Sequence, residues 1–244
     1  MIHIIKISLR KFKSLVGLIL NKSIRLLKSF YIHLSRDKHL KNVDRWFKDK
    51  GDETLRLNYP NLNKDSVVFD LGGYIGEFAE KIHDKYNCNV YIFEPHPKFY
   101  EVCKEKFIKN PKIKVFNYGI SYKDENLMLY DEKDGSSIFS SSLISSTQKS
   151  KTIKTKFIDY LKIVKKLDIN KIDLMKINIE GGEYPLLEHI IKNKKLNFVD
   201  NYQIQFHNFI DKAVEKREYI IQHLKKTHNR NWNYEFVWEN WEKK

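Results

Sequence analysis

The chain has few of the residues that announce a special architecture. Its 244 residues include only two cysteines, Cys88 and Cys103, without CxxC spacing or a His cluster, so neither a disulfide framework nor a zinc site is expected. Nine glycines and five prolines are too few for a fibrous or low-complexity chain, and 41% apolar with 14% aromatic residues is enough for a folded core. The apolar stretch Leu15–Leu20 is bracketed by Lys11, Lys13, Lys22 and Arg25, far short of the ~20 residues that span a bilayer. No small-residue cleavage pattern follows it, so a signal peptide is not expected either.

Acidic residues are scarce in one place only. Residues 1–50 hold thirteen Lys or Arg against three acids, which accounts for +10 of the formal +14. The sequence therefore divides into a basic arm, 1–50, and a nearly balanced body, 51–244. Ile5, Leu9, Phe12, Val16, Ile19, Leu26, Phe30 and Leu34 recur at helical spacing while Lys6, Arg10, Lys13 and Arg25 point elsewhere. Such a helix suits an anionic membrane surface, contacted through residues 1–36. The same stripe suits packing on the body or on a second copy in a homodimer. Two unpaired thiols fit a reducing compartment, so the expected location is the cytoplasm, with the inner face of its membrane within reach of the arm.

After Gly51 short apolar runs alternate with helical stretches, the pattern of a doubly wound, mostly parallel sheet. Strands are expected at 67–70, 90–93, 113–117, 172–177 and 202–206. Helices are expected at 76–85, 97–107, 158–167, 184–193 and 211–225. An insertion, 121–157, contains a strand-like Leu127–Asp131 and a Ser-rich loop with Ser136, Ser137 and Ser140. Its place beyond the strand ends makes it a candidate lid that contacts the substrate. At the C-terminus, WNYEFVWENW reads as one strand with Trp232, Tyr234, Phe236 and Trp238 on one side. That face serves either as core or as a platform for a sugar ring.

Two clusters carry chemistry. VVFD runs into LGGYIG and then a helix, so Asp70, Gly72, Gly73 and Gly76 form a tight strand-to-helix turn that lets a ligand approach the main chain. Twenty-two residues beyond Gly72, Glu94 ends the second strand, where a carboxylate accepts both ribose hydroxyls. Pro95 beside it and Asn117 at the end of the third strand complete the expected cofactor set. An acid two residues before the first glycine repels a pyrophosphate and suits a sulfonium, which favours S-adenosylmethionine over NAD. The second cluster, IDLMKINIEGGEYPLL, gathers Lys176, Asn178, Glu180 and Glu183 at a strand exit, although Glu183 also suits the first turn of the next helix.

The combination of VVFDLGGYIGEFA, YIFEP, KVFNYGIS, GSSIF and DLMKINIEGGEYPLL resembles the FkbM family of class I S-adenosylmethionine-dependent methyltransferases over about residues 54–207. The resemblance implies that Asp70, Gly72 and Gly76 line the cofactor, that Glu94 holds its ribose, and that Lys176, Glu180 and Glu183 stand by the acceptor. It also implies O-methylation of a hydroxyl on a sugar or polyketide-type product, here a glycan or small-molecule acceptor such as a nucleotide- or lipid-linked surface-glycan precursor. The family's usual aspartate is Asn178 here, which can orient a hydroxyl or an ammonium but cannot take a proton. Catalysis is therefore assigned to Glu180, His207 and Lys176, with His207 or Glu180 as base, a neutral imidazole being able to accept a proton near pH 7. Substrate contacts are assigned to Asn178, Glu183, Ser136 and Ser137, and no metal site is expected. The other readings are a nucleic-acid methyltransferase, disfavoured by a body of only +4 and the lack of an NPPY- or DPPY-type motif, and a catalytically silent membrane-associated binding module.

Overall fold

A computed structural model of the chain describes residues 37–132, 135–137 and 152–244. The amphipathic stripe between Ile5 and Leu34 lies outside them. The body is built on a seven-stranded sheet with β1 (Val67–Leu71), β2 (Asn89–Phe93), β3 (Ile113–Phe116), β8 (Leu174–Ile177), β9 (Asn201–Ile204), β10 (His228–Tyr234) and β11 (Trp238–Lys243). Their order across the sheet is β10-β11-β9-β8-β1-β2-β3. Five strands are parallel, and β11 runs antiparallel to both β9 and β10. This is the doubly wound sheet the sequence pattern calls for, with the strand order reversing beside β1 so that a crevice opens there.

Alternation along each strand feeds two cores, because successive side chains leave a strand on opposite faces. Phe69, Leu71, Phe93, Met175 and Ile177 enter one core, while Val68, Val90, Ile92 and Leu174 enter the other. The first is closed by α4 (Tyr160–Lys166), α5 (Glu183–Lys192) and α6 (Ala213–Thr227), and the second by α2 (Glu77–Tyr86) and α3 (Pro97–Phe107). The helix expected from residue 158 starts at Tyr160 instead. Ile158 and Asp159 still belong to a strand, and the Asp159 carboxylate accepts the Leu161 and Lys162 N–H groups as an N-cap.

The insertion forms a second sheet, in the order β4 (Gly119–Ser121), β7 (Thr152–Asp159), β5 (Glu125–Glu132), β6 (Gly135–Ser137). Strand β5 contains the anticipated Leu127–Asp131. Ser136 and Ser137 stand in β6, backbone-paired with Asp131 and Tyr130, whereas Ser140 lies outside the described residues.

Two expectations at the ends of the chain are corrected. WNYEFVWENW is a hairpin rather than one strand: Phe236 takes a left-handed φ of 58° and Val237 N–H donates to Tyr234 O at 2.8 Å, which folds Trp238 back opposite Tyr234. Its aromatics are core. Tyr234, Val237 and Trp238 bury Trp46 of α1 (Lys38–Lys48), and Arg45 stacks on Tyr234 and donates to Asn233 O at 2.6 Å. The boundary read at residue 50 therefore falls inside a packed unit, since residues 38–50 carry basic charge but are anchored to the hairpin by a tryptophan only 2% exposed. Among the described residues no helix is long and apolar enough to cross a membrane.

Candidate active site

Strand β1 delivers the chain to the glycine turn at the carboxyl end of the sheet. Gly72 has φ +80°, and a Cβ there would stand 2.0 Å from the Asn178 carbonyl oxygen, so the turn after β1 lies directly on the turn after β8. Beneath this contact the β1–β8 register places Asp70 opposite Lys176. The ammonium is 2.8 Å from Asp70 Oδ1 and donates to Gly72 O at 2.7 Å, with both side chains buried. Burial pulls the Lys176 pKa down and Asp70 opposes it. Two expectations change accordingly. Lys176 does not face the acceptor and Asp70 does not face a cationic ligand; each neutralises the other and together they pin the Gly72 turn. Gly73 and Gly76 are likewise packing positions, where a Cβ would meet Ile92 or Phe107.

Glu94 does reach the crevice. One carboxylate oxygen accepts the Tyr74 N–H and the other the His96 N–H, both at 2.8 Å, which fixes its plane while leaving lone pairs for a diol. Burial raises its pKa to about 7, with the two backbone donors holding it lower than burial alone would. Pro95 lines the same cavity. Asn117 stands behind it, its amide donating to the Glu94 and Pro95 carbonyls at 3.2 and 3.3 Å.

The opposite wall is the Asn178–Glu183 turn. It is tight enough that Glu180 adopts φ 50° and Gly181 φ 96°. Asn178, Glu180 and Gly182 line the cavity. The Asn178 Oδ1 is buried without a hydrogen-bond partner among the described residues, an acceptor free for a donor arriving from the ligand. Glu183 is fully buried and sits away from the cavity. Its Oε2 accepts the Gly181 N–H at 2.8 Å; its Oε1 accepts the His207 N–H at 2.9 Å and lies 3.0 Å from His207 Nδ1. The Tyr184 hydroxyl donates to His207 O at 2.7 Å. The substrate contact expected of Glu183 is thus replaced by a clamp on His207.

His207 connects the clamp to the cavity, with Nε2 3.4 Å from Glu180 Oε2. Burial presses its pKa down, but the hydrogen bonds to Glu180 and Glu183 overcome that and raise it to about 9. Both ring nitrogens face carboxylates, Nδ1 on Glu183 and Nε2 on Glu180, and His207 does not line the cavity, so neither nitrogen is offered to an acceptor hydroxyl. The expectation of a neutral His207 base is corrected on that ground. Of the two groups weighed as base, Glu180 alone lines the cavity.

Several wall residues had no signal in the sequence. Tyr74 lies within the glycine turn, where its neighbours drew the attention, and Phe99 beneath it reads as an ordinary helix residue. Ser121, Glu125, Leu129 and Phe157 come from the inserted sheet and reach the crevice only because that sheet folds over it. Ser121 is the last residue of KVFNYGIS, whereas Glu125, Leu129 and Phe157 belong to no motif.

The crevice fits S-adenosylmethionine on features of the chain itself: a Cβ-free turn at Gly72, a carboxylate fixed by two backbone donors at Glu94, and the unpartnered acceptor of Asn178. Among solved structures, an rRNA methylase from Streptococcus thermophilus is 13% identical over 80% of this chain and 93% of its own, with TM-score 0.46. Aeropyrum pernix fibrillarin with natively bound S-adenosyl-L-methionine is 10% identical over 79% and 73%, with TM-score 0.44. No curated protein matches the chain. The methyltransferase FkbM domain matches residues 70–236, from the buried aspartate of β1 to the turn of the terminal hairpin, and the chain belongs to the FkbM family of S-adenosylmethionine-dependent methyltransferases.

Proposed function

We propose that this methyltransferase transfers its methyl group to a hydroxyl oxygen of a sugar, on a nucleotide- or lipid-linked surface-glycan precursor. The observation that carries the reading is the chain Glu183–His207–Glu180, which presents one positioned carboxylate to the cavity beside the glycine turn. S-adenosylmethionine, when bound, supplies an electrophilic methyl group on a sulfonium. Glu94 would hold the ribose diol, and Asn178 Oδ1 would accept from the ammonium or from the acceptor hydroxyl. Glu180 takes the acceptor's proton as the oxygen forms its new bond to carbon, a contribution of about 10²–10⁴ in rate. His207 holds Glu180 through Nε2 and is itself held through Nδ1, so the carboxylate is aimed before the acceptor arrives. The apolar side chains of Leu129, Phe157 and Pro185 exclude water from the reacting groups.

The basic arm supports placement of this chemistry at an anionic leaflet on the cytoplasmic side, where such precursors would be met. The nucleic-acid reading gains nothing from the cavity, which Glu94, Glu125 and Glu180 line without any Lys or Arg among the described residues. The test is transfer of labelled methyl from S-adenosylmethionine to methyl pyranosides by the wild type and by Glu180→Gln. Hydroxyl methylation that falls at least a hundredfold in the variant supports the assignment; wild-type rates in the variant remove Glu180 as base, and transfer to RNA but to no pyranoside removes the sugar reading.

A further inference from the structure

The inserted sheet contributes part of the cavity wall, and its pairing places three residues in one row. Gly119 of β4 stands opposite Phe157 of β7, and Phe157 stands opposite Glu125 of β5. A Cβ on Gly119 would lie 2.3 Å from the Phe157 ring, so the glycine lets that ring rest on β4. Leu129, on the same face of β5 as Glu125, adds a buried apolar surface. The row thus offers an aromatic and aliphatic wall with one carboxylate at its end.

That carboxylate is held in place. Ser121 Oγ donates to Glu125 Oε1 at 3.0 Å, Lys123 Nζ lies 3.3 Å from Oε2, and the Glu125 side chain is 17% exposed. Each oxygen is engaged from the strand and its turn, and each keeps a further lone pair. Glu94, which lines the same cavity, also has one donor on each oxygen. A carboxylate so fixed accepts two neighbouring hydroxyl donors, and an apolar wall beside it suits the C–H face of a ring.

Resting on the O-methyltransferase reading above, we propose that Glu125, set by Ser121 and Lys123, is the specificity-determining carboxylate of the acceptor subsite. It receives two adjacent, non-reacting hydroxyls of an uncharged pyranose whose apolar face lies on Phe157. Glu125 and Glu180 on the described cavity walls disfavour an acceptor ring that carries a carboxylate or phosphate of its own. The anionic group of a linked precursor must then lie outside the cavity mouth.

The experiment uses the full chain saturated with S-adenosylhomocysteine and follows saturation-transfer NMR and titration with methyl α-D-mannopyranoside, methyl α-L-rhamnopyranoside, methyl β-D-galactopyranoside and methyl β-D-glucuronide. The expected result is binding of at least one neutral pyranoside and not of the glucuronide. Affinity should weaken roughly tenfold in Glu125→Gln and more in Glu125→Ala, since hydrogen bonds to a charged acceptor are the stronger kind. Calorimetric affinity for S-adenosylhomocysteine, unchanged in both variants, reports that they are folded. Glu180→Gln should keep pyranoside binding while losing transfer. The inference is overturned if no neutral pyranoside binds, if the glucuronide binds equally well, or if Glu125→Ala binds like the wild type. In that last case pyranoside binding with Glu180-dependent transfer leaves the O-methyltransferase reading standing.

Discussion

Replacing Glu183 by Gln tests the electrostatic core of the site. Glu183 is fully buried and meets three donors, the Gly181 N–H, the His207 N–H and the His207 ring at Nδ1. Gln keeps the shape but has one acceptor oxygen and an NH₂ group, so a donor faces a donor at one of those contacts and the charge opposite the imidazolium is lost. The His207 pKa, held at about 9 by its two carboxylates against an ordinary 6.5, should fall by more than one unit. A group whose folded pKa is raised stabilises the fold fully below the unfolded value, and that contribution disappears as pH rises through the folded value. For a largely buried His207 the full contribution is about 3 kcal/mol, present below pH 6.5 and gone above about pH 9. That is a substantial part of the roughly 5–15 kcal/mol of a typical domain, yet small enough for the variant to fold. The assay is an NMR titration of the His207 Cε1–H resonance alongside denaturant unfolding at several pH values. The stability gap between wild type and variant should be widest near pH 6.5 and narrow towards pH 9. A wild-type His207 that titrates near 6.5, or parallel stability profiles, would falsify the clamp.

Four further outcomes follow from the geometry. Lys176→Met leaves Asp70 charged and unpaired in the interior, so unfolding should be easier by about 3–5 kcal/mol, largely restored by adding Asp70→Asn; denaturant midpoints of the single and double variants check it, and equal losses refute it. Gly72→Ala sets a Cβ 2.0 Å from the Asn178 carbonyl oxygen in a left-handed turn, so calorimetric binding of S-adenosylhomocysteine should be lost together with several degrees of Tm. Glu94, with a pKa of about 7, accepts the ribose diol best when ionised, so affinity for the cofactor product should weaken up to about tenfold per pH unit below 7. The dependence should vanish in Glu94→Gln, and an unchanged slope there would point to another group. Replacing Lys6, Arg10, Lys11 and Lys13 by Glu should abolish co-sedimentation with phosphatidylglycerol vesicles if the arm reads an anionic surface; sedimentation equal to the wild type argues for packing on protein instead.

What the sequence determined by itself was local: strand periodicity, the glycine turn after VVFD and the carboxylate ending YIFEP follow from backbone sterics and side-chain alternation within a few residues. Those features were enough for the doubly wound sheet, a nucleoside cofactor and the Asn178–Glu183 turn, whereas Asp70 gave no sound ground for a sulfonium, because its carboxylate is buried against Lys176. The tertiary structure decided everything that depends on which strands lie side by side. Asp70 and Lys176 are over a hundred residues apart, and only the β1–β8 register turns two apparent active-site charges into a buried pair. His207 reads as an ordinary imidazole until folding sets it between Glu180 and Glu183, where two carboxylates at hydrogen-bond range shift its proton affinity by more than burial opposes. Trp46 joins the C-terminal hairpin and Glu125 joins the crevice for the same reason. Charge and burial act through space, and the distances that set them exist only once the chain is folded.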